Sequence, residues 1–290
     1  MLALDLGVFN RKTHVVKLKE ALTWTAVWVL LALIFNAAVY YWWGKQKALE
    51  FLTGYLIEKA LSVDNIFVFI MIFTYFRIPS EYQHKVLFWG VLGALVMRVI
   101  FIFAGVALIN RFHFTIYFFG ALLIYTGYRM FRHDNTKIDP EGNHVIRFLR
   151  KFLPVKEALH GNRFFIKENG KSYATPLFLV LVLIETTDLI FAVDSIPAIL
   201  AITQDQFIVF TSNVFAILGL RSLYFALAGV VHRFWLLSYG LSVILVFVGI
   251  KMLLIDFYKI PVELSLIVIA TILTASIILS LKIKRKATNG

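Results

Sequence analysis

Cysteine is absent from the 290 residues, so the chain can form no disulfide of its own and offers no thiolate to a metal. Charge is scarce as well: Asp, Glu, Lys and Arg together make up 16% of the sequence, and 17 acids stand against 29 bases. Period-two alternation is missing, which argues against a membrane barrel. Met1 to Phe9 has neither a basic leader nor a small-residue cleavage site, so a cleavable signal peptide is not expected. That short apolar run, followed by Arg11 and Lys12, reads instead as the last turns of a helix that begins upstream. There is no Ser/His/Asp set, no HExxH and no phosphate-cradling glycine loop, so enzymatic activity is not expected.

What is present is hydrophobic. Apolar residues make up 60% of the chain and mean hydropathy is +0.81, which assigns a membrane class. A hydrocarbon core about 30 Å thick needs roughly 20 apolar residues per helix. The sequence offers eight such stretches, near 22–43, 49–76, 86–109, 113–131, 174–202, 207–231, 236–256 and 261–282. The expected fold is therefore all-α and membrane-embedded. Its organisation reads as an amino-terminal segment 1–21, a first transmembrane half 22–131, a basic loop 132–173, a second half 174–282 and a basic tail 283–290.

The net charge of +12 suggests nucleic acid only for a soluble protein. Here the side on which each cation falls matters more. The amino-terminal segment, residues 77–85, the loop from Arg129 to Lys171, Arg233 and the carboxyl end from Lys282 carry 21 Lys and Arg. The opposite face carries four: Lys45, Lys47, Arg111 and Lys259. Both termini and the long loop are thus expected in the cytoplasm, with anionic lipid as partner and no nucleic acid. Within the loop, Val145 to Leu153 reads as an amphipathic surface helix. Asn169-Gly170, between Phe164–Glu168 and Lys171–Tyr173, reads as a tight hairpin turn.

The chain also repeats itself. Val63-Asp64-Asn65-Ile66 recurs as Val193-Asp194-Ser195-Ile196, with Glu58 and Asp188 each six residues before the Asp. Arg98 and Arg221 each lie in the next span, and Gly127-Tyr128-Arg129-Met130 matches Gly249-Ile250-Lys251-Met252. Three helices are an odd number, so a second copy of the unit enters from the opposite side. That gives an inverted repeat of two three-helix units.

Five acids fall inside predicted spans: Glu58, Asp64, Glu185, Asp188 and Asp194. A charge at the bilayer centre costs about 3 kcal/mol even on lenient scales, so such acids face protein or water and mark function. The rival reading is charge balance with Lys59, Arg98, Arg221 or Lys251. On a continuous helix turning about 100° per residue, Glu185 and Asp188 share a side while Asp194 points opposite Glu185. Convergence of all three requires a helix break, for which Pro197 is the candidate. With Asn65 and Ser195 beside them, and Thr186, Thr187 and Asn213 nearby, these are hard oxygen donors. They suit Mn²⁺, Mg²⁺ or Ca²⁺ as a transported ion rather than a permanent cofactor.

Phe51 to Lys59 running into Ser62-Val63-Asp64-Asn65, Tyr173-Ala174-Thr175-Pro176, Phe191 to Ile199, and Thr211 to Arg221 closely resemble the signatures of the TerC family of membrane proteins, in its Alx branch. The resemblance runs from about Leu4 to the tail. It implies a multi-pass protein of the bacterial inner membrane, in the wider LysE-type transporter group. It further implies a link to Mn²⁺ export and a historical association with tellurium resistance. Carried over by position, the family's acidic motifs fall on Glu58, Asp64, Glu185, Asp188 and Asp194, with Asn65 and Ser195 adjacent. Relatives commonly carry a further apolar stretch ahead of Leu4-Asp5-Leu6.

The leading expectation is an exporter of Mn²⁺ that alternates access at a midplane acidic site, with proton entry as a coupling option. Lys59, Arg98 and Arg221 would balance charge or gate. The competing reading is a non-transporting membrane scaffold for metal or tellurium stress-response partners. Oligomeric state is not legible.

Overall fold

The computed structural model describes residues 18–112, 114–132, 153–156, 158–168, 170–228 and 234–283, apart from the side chain of Asp64. The amphipathic surface helix expected at 145–153 lies almost wholly outside them, as do the expected terminal segment and tail for most of their length. The described residues form helices α1 (Leu18–Tyr75), α2 (Ser80–Arg111), α3 (Thr115–Arg132), α4 (Pro176–Leu200), α5 (Gln206–Leu218), α6 (Leu220–Leu227), α7 (Leu237–Leu253) and α8 (Val262–Lys282). Between α3 and α4 lie two short strands, β1 (Phe165–Glu168) and β2 (Lys171–Ala174).

At 1.5 Å per residue, a straight helix of 58 residues would run about 87 Å, nearly three times a bilayer core. The chain avoids this at Gly44, whose φ of 85° and ψ of 176° fold α1 back on itself. That left-handed φ suits glycine, which has no Cβ to clash. Aromatic contacts prove the reversal, since Phe35 and Phe51 meet with ring centroids 5.2 Å apart. Both also pack on Phe215 of α5. Trp42 and Trp43 stand exposed at the bend, as do Phe257 and Tyr258 after α7, which is how amphipathic rings are placed at a membrane interface.

Among the described residues, counting α5 and α6 as one, five helices are long and apolar enough to cross a membrane, and α7 is a shorter apolar helix. Helix pairs then set the bundle: α1 packs on α5 and α6, α2 on α4, and α3 most extensively on α7. The last pairing depends on glycine. A Cβ at Gly249 would come 2.7 Å from the Gly120 carbonyl oxygen, and one at Gly127 would come 2.7 Å from that of Ser242. Small residues let membrane helices approach backbone to backbone, where dispersion replaces the hydrophobic drive that lipid cannot provide.

Outside the bundle, β1 and β2 pair antiparallel with Glu168 opposite Lys171, around the two-residue turn read from Asn169-Gly170. Gly170 supplies the positive φ of 75°. The hairpin is tied down by Lys156 paired with Glu168 and by the Lys85 ammonium over the Phe164 ring at 4.6 Å.

Candidate functional site

The second half of α1 packs on α4 and α5, as α2 does, and polar side chains gather where these four helices come together. Arg98, near the middle of α2, is only 2% exposed. Its Nη1 forms an ion pair with Oε1 of Glu58, which is fully buried on α1. The same nitrogen donates to Asn213 Oδ1 on α5 at 2.6 Å and to Ser195 Oγ on α4 at 3.4 Å. Nη2 lies 3.8 Å from Asp188 Oδ1 on α4, and that oxygen accepts from Asn65 Nδ2 on α1 at 3.1 Å. Glu58, Asn65, Asp188, Ser195 and Asn213 are all buried.

Burial without partners is costly, so unfilled polar atoms are informative. Glu58 Oε2, Ser62 Oγ and Asn65 Oδ1 are buried and accept no hydrogen bond. They sit at i, i+4 and i+7 of α1, on one face of the helix. These three open oxygens, one of them on the Glu58 carboxylate, together with the Asp188 carboxylate form an environment that attracts a hard cation. A narrow cleft lined by Phe69, Gly90, Val91, Ile184 and Leu220 reaches Asp188.

The remaining expected residues go elsewhere. Glu185 turns to α2 and sets its carboxylate against Gly93, where a Cβ would overlap it. Asp194 faces α3 and accepts from Thr126 Oγ1 at 2.9 Å. Lys59 points away from Arg98 and donates from Nζ to the Ala216 carbonyl at 3.2 Å, near the Gly219 break between α5 and α6. Arg221 is buried on α6, two residues past that break. Asp64 lies on α1, with its side chain outside the described set.

The helix break expected at Pro197 does not occur there: α4 runs unbroken to Leu200, with Pro197 inside its last turn. So close to the C-terminal end, proline removes one backbone bond at Val193 and leaves too little helix beyond it to swing away. On this continuous helix Glu185 and Asp188 both face α2, at Gly93 and Arg98, while Asp194 turns to α3. Among the described residues, no three His, Cys, Asp or Glu side chains come together as a metal cluster. The donors that do converge are two carboxylates with Asn and Ser.

Two members of the cluster were underrated by sequence reading. Asn213 counted only as one of several nearby donors, and Ser62 only as part of a motif. Both carried a usable signal. Each is a polar residue in an apolar helix, and Ser62 stands one turn after Glu58.

A family model described as Integral membrane protein TerC family matches residues 43–288. The chain belongs to the TerC family. An uncharacterized membrane protein of Myxococcus xanthus is 58% identical over 287 residues, covering 99% of this chain and 90% of that one. A protein of Escherichia coli K12 named Alx, a candidate membrane-bound redox modulator, is 50% identical over 97% of this chain and 90% of its own length. A Rickettsia bellii membrane protein is 44% identical over 97% and 93%. The Alx relatives place this TerC protein in the Alx-like branch. It is a multi-pass integral membrane protein. No solved structure matches the chain.

Proposed function

We propose that this TerC protein is a divalent-cation transporter, with Mn²⁺ as its exported substrate, working from the bacterial inner membrane through the buried Glu58–Arg98–Asp188 site. The observation that carries the reading is the set of open buried oxygens, Glu58 Oε2, Ser62 Oγ and Asn65 Oδ1, with the Asp188 carboxylate of another helix beside them. Buried acids with unfilled acceptors are expensive in a membrane protein unless a cation visits them. All the donors are hard oxygens, the class that binds Mn²⁺, Mg²⁺ and Ca²⁺.

Eight spans built on two inverted three-helix units complete the proposal. Reciprocal packing supports it: α1 on α5 and α2 on α4 are the exchanged pairs of such a symmetry, and α3 on α7 is its self-pair. Glu58 and Asp188 are equivalent positions in the two units, so the site stands at their junction, where rocking of one unit against the other would open it to alternate sides. The basic segments would lie on the cytoplasmic side, against anionic lipid.

The test is Mn²⁺ entry into proteoliposomes reporting on an enclosed metal-sensitive dye, with Glu58→Gln and Asp188→Asn beside the parent. Flux in the parent that both substitutions remove, with the fold intact by circular dichroism, is the expected result. A folded parent that moves no divalent cation defeats the proposal. Weight would then pass to the scaffold reading, which would have to act without thiol chemistry in this cysteine-free chain.

A further inference from the structure

We propose that Arg98 is a built-in substitute for the transported cation. Its guanidinium sits among the carboxylates when no metal is bound, so the empty carrier reorients without taking up a counter-ion. The inference rests on the transporter reading above and adds its coupling rule.

Three observations carry it. First, the guanidinium occupies the acids themselves, pairing with Glu58 of one unit and standing 3.8 Å from Asp188 of the other. A metal entering here competes with Arg98 for the same oxygens. Second, Arg98 already holds neutral partners to which it can fall back, Asn213 at 2.6 Å and Ser195 at 3.4 Å. Its Nε has no partner at all. An arginine has five N–H donors, and one with a donor left unfilled is not saturated where it stands. The guanidinium therefore has two sets of partners: carboxylates and neutral groups without metal, neutral groups alone when metal takes the carboxylates.

Third, the guanidinium halves the excess charge. Two carboxylates and one guanidinium leave a single net negative charge, whereas the acids alone would leave two. Carrying uncompensated charge through a low-dielectric interior is what keeps an empty carrier from returning. The charged groups facing the guanidinium are Glu58 and Asp188. Glu185 lies against Gly93 and Lys59 is turned to the Ala216 carbonyl.

The experiment uses the full chain in proteoliposomes loaded with Mn²⁺ at equal pH on both sides. Net efflux into metal-free buffer is compared with exchange of isotopic Mn²⁺ when metal is present on both sides. The parent is expected to show net efflux with no metal and no proton gradient outside. Arg98→Gln should lower the ratio of net efflux to exchange by about tenfold or more, because the empty site then carries two uncompensated negative charges instead of one. Arg98→Lys, which keeps a cation but not the planar fork, should restore part of the net efflux. Net efflux by Arg98→Gln at the parental rate overturns the proposal. So does a parent that exchanges but needs an external cation or an imposed pH gradient for net efflux, a result that stands even if Arg98→Gln fails to fold. A parent with neither mode overturns the transporter reading itself.

Discussion

Asp188 and Asp194 lie six residues apart on one apolar helix, yet they live in different chemistry. Asp188 is 4% exposed and is held by Asn65 and by the charge of Arg98. Asp194 is half-buried and answers to Thr126 on α3. Six residues of helix turn the side chain by about 240°, enough to move it from the four-helix junction to a different neighbour. The comparison teaches that an acid in a membrane helix marks polar work, while the rotation of the helix decides which work.

The contrast can be pressed from both ends. Asp188→Asn should show the largest effect. Partners behind a metal ligand are themselves worth about 10–100-fold in affinity, so this direct donor should cost on the order of a hundredfold or more in Mn²⁺ flux. Glu58→Gln should match it, and an Asp188→Asn protein with near-parental flux would dissolve the distinction. Next comes Gly249→Leu, aimed at the Asp194 side. Its side chain would run into the Gly120 carbonyl and Ile124 of α3, the helix that carries Thr126. Overpacking against backbone costs about 1–3 kcal/mol or more, read as a lower melting temperature in detergent. An unchanged melting point would mean that α3 and α7 do not pack through glycine.

Asp194→Asn should matter less, by about threefold in flux at most, because asparagine can keep one hydrogen bond to Thr126 at a net worth of about 1 kcal/mol. A loss as severe as that of Asp188→Asn would show that Asp194 joins the transport path in another state. The smallest effect is expected at Asp205, which caps α5 and pairs with Lys47 at 2.8 Å. Burial alone pushes this carboxyl up, but hydrogen bonds from Lys47 and from the Ile208 and Phe207 amides outweigh burial and hold it below the ordinary value. With a depressed folded value, its stabilisation is present above the unfolded value of about 3.9 and fades as pH falls through the folded one. Asp205→Asn should therefore cost no more than about 1 kcal/mol at neutral pH for so exposed a pair, read as a slightly lower melting temperature. The difference should begin to shrink as pH falls below about 4 and vanish beneath the depressed folded value, and a difference that persists there would assign the effect to packing.

Much of the architecture was legible beforehand, for a physical reason. A bilayer demands long apolar helices with satisfied backbones, and composition reports that demand directly. The hairpin at Asn169-Gly170 was legible because one backbone geometry suits that dipeptide. Pro197 misled because proline announces a lost hydrogen bond without telling whether enough helix follows to show it. The site was half legible: the repeat singled out Glu58, Asn65, Asp188 and Ser195, but could not say that Arg98 would join them while Asp194 would not. The reversal itself was legible in the gap between the spans 22–43 and 49–76, but not that Gly44 alone makes it while helix continues on both sides.

By itself, then, the sequence determined the membrane class, the family and the residue types available for chemistry, since each of these is a property of composition or of contiguous motifs. Only the tertiary structure decided which of those residues share a site. Polar side chains from four helices meet at Arg98 through the rotation and crossing of those helices, and such angles are settled by packing over the whole bundle rather than by any local stretch of chain.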